Sequence, residues 1–319
     1  MPRKAYRVRN WKKYNEALVN RGSITFWFNE ECINHWQSEQ KIKSRGRPEE
    51  YSDLAIQTGL TLKALFKLTF RATEGFIKSL LTVLNIKLKA PDYSLLCKRQ
   101  KSIKIELPKK TLRLGEQLHI AFDTTGLKVY GEGEWKVRQH GWIKHRLWRK
   151  LHLAINCNSQ EIEAFKLTDL GIQDCEGVPL LMDQINAPIE SARGDGSYDR
   201  FSCYEEAERK GFCLITPPQR KAKTSGERKQ YKRKINPDAL KKRDATINEV
   251  RKLGRKEWKI QSGYHRRSLA ETAMFRVKTL LGSRLATRTL EHQKVETAIW
   301  CQIINKMTTL GMPETIAIS

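Results

Sequence analysis

The chain has 319 residues with 39% hydrophobic content, enough for about two domains of roughly 150 residues, each with a core of its own. Lys and Arg number 60 against 35 Asp and Glu, and the net charge of +25 points to a polyanionic partner, nucleic acid ahead of an anionic membrane surface. No stretch approaches the ~20 apolar residues of a membrane span, "MPRKAYRVRNWKKYNE" has no apolar signal core, and seven scattered cysteines without a C-x-x-C pair indicate neither a disulfide framework nor a zinc site, so the chain reads as a soluble, unprocessed cytoplasmic protein.

Residues 1–114 read as a mainly helical region. "SDLAIQTGLTLKALFKLTF" predicts two short helices broken at Gly59, with Lys63, Lys67 and Arg71 at i, i+4 and i+8 along one side of the second and Leu62, Leu65 and Phe66 opposite. A basic stripe against an apolar one suits a DNA-binding helix-turn-helix near 52–86, and equally a solvated basic face. "RGRP" at 45–48 suits either an arginine arm for an A·T minor groove or a plain linker.

From about residue 115 the texture changes. "LHIAFDTTGLKVYG", "RLWRKLHLAINC" and "EIEAFKLTD" predict three strands. "GVPLLMDQI" follows as a helix, "IESARGDGSYD" as a strand entering a Gly-rich turn, "CYEEAERKG" as a helix closed by Gly211, and "FCLITPP" as a strand stopped by two prolines. Helices over Leu269–Gly282 and Glu291–Leu310 complete an α/β domain, a mixed sheet flanked by helices spanning 115–311, with 312–319 as a tail. Charge is uneven along it. Residues 151–200 hold three basic and nine acidic residues, a local net of −6, whereas 220–259 hold sixteen and five, a net of +11 centred on a basic insertion near 218–260. Lys232, Arg233 and Lys234 of that insertion are expected near DNA. "WKVRQHGWIKHRLWRK" (135–150) interleaves three Trp with six cations, among them Lys136 and Arg138, which fits phosphate contact with base stacking as well as core tryptophans with snorkelling cations.

Two carboxylates fall at expected strand exits, Asp123 after "LHIAF" and Asp195 in "GDGSYD", where catalytic groups of open α/β sheets collect. Either alone is explained as well by a turn acceptor, and Asp199 competes with Asp195. In "GYHRRSLAETAMFRVK", Ser268 and Glu271 have capping-box spacing. Tyr264, Arg267, Glu271 and Lys278 nevertheless share one arc if the helical turn already begins near Tyr264 and Ser268 is not a cap. A solvated Arg267–Glu271 pair is the plainer account. Three acids taken together suit hard Mg²⁺, which binds carboxylates and phosphate oxygens, and their mutual repulsion calls for a cation.

Tyr264, Arg267, Glu271 and Lys278 match the Y-(2)-R-(3)-E-(6)-K signature of bacterial insertion-sequence transposases of the DDE type. "FDTTGLKVYGEGEWKVRQHGW", "RLWRKLHL", "GDGSYD" and "SGYHRRSLAET" resemble that family's blocks in their order, over about residues 115–311. The resemblance implies a ribonuclease H-like fold, preceded by a mainly helical DNA-binding region. It implies a catalytic and metal-binding triad of Asp123, Asp195 and Glu271, DNA contacts from Tyr264, Arg267 and Lys278, and two Mg²⁺ ions for which Mn²⁺ can substitute. The implied reaction is hydrolysis that frees a 3′-OH, followed by attack of that hydroxyl on a target phosphodiester. Double-stranded transposon ends and target DNA are the implied partners, with homo-oligomers on paired ends and a nucleoid location. An inactive DNA-binding regulator of the same family is the alternative. Only 75 residues separate Asp195 from Glu271, which leaves little room for a large inserted β domain.

Overall fold

A computed structural model describes residues 5–38, 49–108, 113, 115–129, 148–228 and 235–318. The "RGRP" run and the candidate DNA contacts Lys136, Arg138, Lys232, Arg233 and Lys234 lie outside the described residues. The chain forms two compact units, residues 1–106 with 289–319, and residues 107–288.

The first unit is helical, apart from a two-stranded ribbon. Strand β1 (Ala5–Val8) is followed by helices α1 (Trp11–Asn20), α2 (Ile24–Trp27), α3 (Glu30–Asn34), α4 (Asp53–Leu65), α5 (Phe70–Val83) and α6 (Tyr93–Gln100). Gly59 does not break a helix as expected. It lies inside α4, where the missing Cβ lets Leu96 of α6 and Ile77 of α5 approach to within 3.0 and 3.4 Å of the place a side chain would begin. The break falls after Leu65, and Thr69 caps α5 by accepting from the Ala72 N–H. Lys63, Lys67 and Arg71 therefore do not form one helical stripe. Lys63 closes α4, Lys67 occupies the turn at φ +51°, and Arg71 opens α5. Two helices joined by a four-residue turn remain, within the interval expected for a helix-turn-helix.

The long helix near the carboxyl end, Leu290–Leu310, belongs to this unit and not to the α/β domain. It is buried nearly all round from Val295 to Cys301 and packs on α4 and α1. The expected tail is a strand, Thr315–Ile318, paired antiparallel with β1.

In the second unit, β2 (Leu118–Val129), β3 (Trp148–Asn156) and β4 (Ile162–Asp169) form an antiparallel meander. Helix α7 (Gly177–Met182) leads to β5 (Ile189–Arg193), and α8 (Phe201–Lys210), closed by Gly211 at φ +75°, leads to β6 (Cys213–Ile215). Strand β5 pairs parallel with β2, and β6 parallel with β5, giving the order β4-β3-β2-β5-β6. Helices α9 (Pro237–Leu253), α10 (Arg255–Gln261) and α11 (Ser268–Leu280) follow, and β7 (Arg284–Leu285) pairs with the far half of β2. This is the ribonuclease H-like arrangement: three antiparallel strands, then two parallel to the first. Numbering in chain order, the Leu290–Leu310 helix is α12 and the last strand β8.

The two-residue period of β2 divides the domain into layers. Ile120 and Phe122 face the core closed by Val178, Leu181 and Met182 of α7 and by Tyr204 and Ala207 of α8. Ala121 and Asp123 face the other way, where α11 packs on β2 and β3. Gly177 sits so tightly on this first face that a Cβ there would lie 2.4 Å from His152 Nδ1. Gly177→Ala is expected to lower stability by about 1–3 kcal/mol through overpacking, whereas Gly75→Ala, in the open on α5, should raise it by up to about 1 kcal/mol through helix propensity. Thermal melts of the two variants check both signs.

Candidate active site

Parallel pairing between β2 and β5 sets the first two acids. Ala121 stands opposite Arg193, so Asp123 and Asp195 each lie two residues beyond the same rung on neighbouring strands. Asp123 is not at a strand exit as expected. It lies mid-strand, where the pairing with β5 ends while that with β3 runs on to Lys128. Asp195 does follow its strand. It caps a short 3₁₀ turn by accepting from the Ser197 N–H at 2.8 Å, and its own carbonyl accepts from Thr216. Gly194 is required there, because a Cβ would come within 2.5 Å of Phe122 and 2.7 Å of Tyr198, whose rings lie 4.6 Å apart.

Asp199, the competitor, is structural. Arg243 of α9 grips it through Nε at 2.7 Å and Nη2 at 2.9 Å, and the Gln219 N–H adds a third bond at 3.1 Å. Neither side chain of the pair exceeds 4% exposure, so Asp199 is not open to a ligand.

The third acid arrives on α11. A 3₁₀ turn at Tyr264–Arg267 runs without interruption into that helix. Ser268 has helical φ and ψ and is no cap; its hydroxyl donates to the His265 carbonyl. The capping-box reading fails for that reason, and the helical path does begin at Tyr264. The four signature side chains differ in exposure. Tyr264 is buried, with its ring 6.2 Å from that of Trp258 and 5.0 Å from Lys259 Nζ, and burial pushes its phenol pKa up. Glu271 and Lys278 are exposed, and Arg267 is partly buried.

Arg267 joins the acids. Its guanidinium bonds Glu271 one turn ahead and stands 3.5 Å from Asp123, so a carboxylate from the sheet and one from the helix share a single cation. Burial pushes the Asp123 pKa up; the Thr124 N–H and Arg267 oppose this, while the charges of Asp195 and Glu271 add to it. Among the described residues no three His, Cys, Asp or Glu side chains stand close enough to hold an ion. The chemistry of the donor set still fits a hard cation: all the donors are carboxylate oxygens, two already converge on one positive charge, and the third is felt at Asp123.

Several residues that position these groups carried no signal of their own in the sequence. Arg193, buried two residues before Asp195, donates to the Gly263 carbonyl at 3.1 Å and to Ser191 Oγ at 2.8 Å, tying β5 to the turn that launches Tyr264. Beneath Asp123 a chain of hydrogen bonds crosses the sheet. Thr168 donates to a carbonyl, so His152 Nε2–H donates to Thr168 Oγ1 at 2.9 Å. His152 Nδ1 then accepts from Thr124 at 2.9 Å, and Thr124 accepts from the Tyr198 hydroxyl at 3.2 Å. The strand of Asp123 is thereby tied to the turn of Asp195.

This chain requires a neutral ring. Burial holds the His152 pKa down at about 4, from 6.5, with Asp174 opposing and Lys150 assisting. Unfolding lets the ring take a proton below pH 6.5, so the stability it lends is complete above that pH and is lost as pH falls towards 4, roughly 3 kcal/mol in all. Denaturant unfolding at pH 7.5 and pH 4.5 should show the wild type losing about 2–3 kcal/mol more than His152→Gln; equal losses would contradict the assignment.

A sequence-family model described as "Transposase DDE domain" matches residues 114–305, and a second of the same description matches residues 19–132. A cryo-EM structure of a piggyBac transposase synaptic complex with hairpin DNA is similar at 11% identity and a TM-score of 0.38, covering 95% of this chain and 76% of that one. The first match spans more than half of the sequence, and by it the chain belongs to the transposase DDE domain family.

Proposed function

We propose that the protein is an active DNA transposase of a bacterial insertion element, which binds the terminal inverted repeats and catalyses metal-dependent strand cleavage and strand transfer at the nucleoid. The observation that carries this reading is the convergence of Asp123 and Glu271, from β2 and α11, on one cation, with Asp195 level with Asp123 on the adjacent strand. No helix among the described residues is long and apolar enough to cross a membrane.

Asp123, Asp195 and Glu271 are assigned as the holders of divalent metal, Mg²⁺ or Mn²⁺ and by analogy two ions. Bound metal supplies an activated nucleophile and neutralises charge on the phosphodiester under attack. The protein's own part is positional. The Thr124–Tyr198 bond fixes the two aspartates relative to each other, and the Arg193–Gly263 bond fixes the turn that leads into the helix of Glu271. Exposed Lys278 lies two helical turns from Glu271 on the same face and is assigned to the phosphates of the bound strand. Arg267, now paired with Asp123 and Glu271, would be free to join it if bound divalent metal supplied the compensating charge. Tyr264, being buried, acts by packing under Arg267, at 5.9 Å from its guanidinium carbon. Lys63, Lys67 and Arg71 are assigned to end binding by the α4–α5 pair, and dimers or larger assemblies to paired ends.

A second reading, a DNA-binding regulator without catalysis, draws on the same ion pairs, because Arg267 already satisfies two of the three acids. Incubation with terminal DNA, with and without Mg²⁺, followed by mapping of 3′-OH ends, separates the two. Asp123→Asn, Asp195→Asn and Glu271→Gln are each expected to slow cleavage and joining by about 10³-fold or more, while end binding in EDTA stays within about threefold of wild type. Joining retained by any variant removes that residue from the triad, and binding without breaks by the wild type favours the regulator.

A further inference from the structure

A cleft of about 700 Å³ opens in the amino-terminal unit between the first turn of α5, one face of α6 and the start of α12. Arg71, Lys98 and Lys101 line it, and no Asp or Glu is among its walls. Lys98 and Lys101 are three residues apart, one helical turn, and both are exposed. Of the nearby acids, Glu74 accepts from Lys78 and from the Tyr93 N–H at 2.8 Å, Asp92 caps α6, and Glu291 at the start of α12 stands outside the walls but feels the charge of Lys101.

The floor is apolar. Phe70 and Tyr93 form it, and each ring already carries a cation, Lys63 Nζ at 4.8 Å from Phe70 and the Arg71 guanidinium carbon at 4.6 Å from Tyr93. A guanidinium held on a ring loses less freedom when it meets a phosphate. His292 is a wall and not a ligand, since Thr289 Oγ1 engages its Nδ1 at 2.6 Å and its Nε2 donates to the Cys97 carbonyl at 3.2 Å. Three cations over an apolar floor, with no acid in the walls, match a polyanion whose charges alternate with flat or sugar surfaces. They exceed what one monophosphate requires.

We propose that this cleft seats the sugar-phosphate backbone of one DNA strand, with Arg71, Lys98 and Lys101 on its phosphates and deoxyribose against Phe70 and Tyr93. The proposal rests on the reading of the protein as DNA-binding and adds α6 to the surface that makes the contact. Because the site makes no base-edge contact, it strengthens binding for every sequence alike.

The test measures affinity for a terminal duplex against salt concentration, in EDTA, for wild type and for Lys98→Gln/Lys101→Gln, with melting midpoints compared to establish folding. The double variant should bind about tenfold or more weakly at physiological salt, and its slope of log K on log[salt] should be shallower by about 2. Single variants, each with half the slope change, serve if the double variant does not fold. Thymidine 5′-monophosphate is the second probe: titrated at millimolar concentration, binding to wild type that the lysine changes abolish would identify a free nucleotide as the source of the same chemistry. Unchanged affinity and slope, with no nucleotide binding, overturn the proposal. A wild-type chain that binds no DNA overturns both this and the function above; one that binds but does not cut leaves the cleft standing.

Discussion

Two carboxylates brought together from sheet and helix, one of them partly out of water, need positive charge between them, and the second unit is arranged to supply it. Asp123 is half-buried, and its pKa is raised by burial and by two neighbouring acids. In the protein alone Arg267 supplies the compensating charge, bonded to Glu271 and 3.5 Å from Asp123. A half-buried carboxylate already compensated by a guanidinium has an electrostatic need that a divalent ion, with twice the charge in a smaller volume, would also meet.

The scaffold makes the gathering possible by register and by buried polar contacts. One rung of the β2–β5 ladder aligns the two aspartates, and the chain from Thr168 through His152 and Thr124 to Tyr198 ties the strand of Asp123 to the turn of Asp195. Asp199 and Arg243 anchor the far end of the same Gly-rich turn to α9. Breaking such a buried pair from one side leaves a charge uncompensated, which accounts for a second acid four residues from Asp195 that is closed to ligands.

Much of this was legible from the residues. Strand texture over 115–215 gave a mixed sheet and its five strands in their order along the chain, and the spacing after Tyr264 gave the uninterrupted helical path that brings Arg267 to Glu271, because both readings rest on local periodicity. The errors came where distant packing decides. Gly59 signals a break by propensity, yet α6 fills the space its side chain would take and the helix continues. Asp123 reads as a strand end because apolar residues stop there, whereas β3 and β7 carry the strand on to Val129. The helix at 290–310 follows the α/β domain in sequence but buries its apolar surface against α4 and α1. Arg193, His152 and Arg243 each reach at least one partner 28 to 70 residues away, a distance that no local pattern reports.

Whether Asp123, Asp195 and Glu271 share divalent metal is tested most directly by titrating Mn²⁺ into the metal-free full chain and following the free ion by electron paramagnetic resonance. The wild type should take up Mn²⁺ with a dissociation constant that weakens by about tenfold or more when any one of the three acids is made neutral. Uptake that is absent in the presence of terminal DNA, or indifferent to all three changes, would contradict the account.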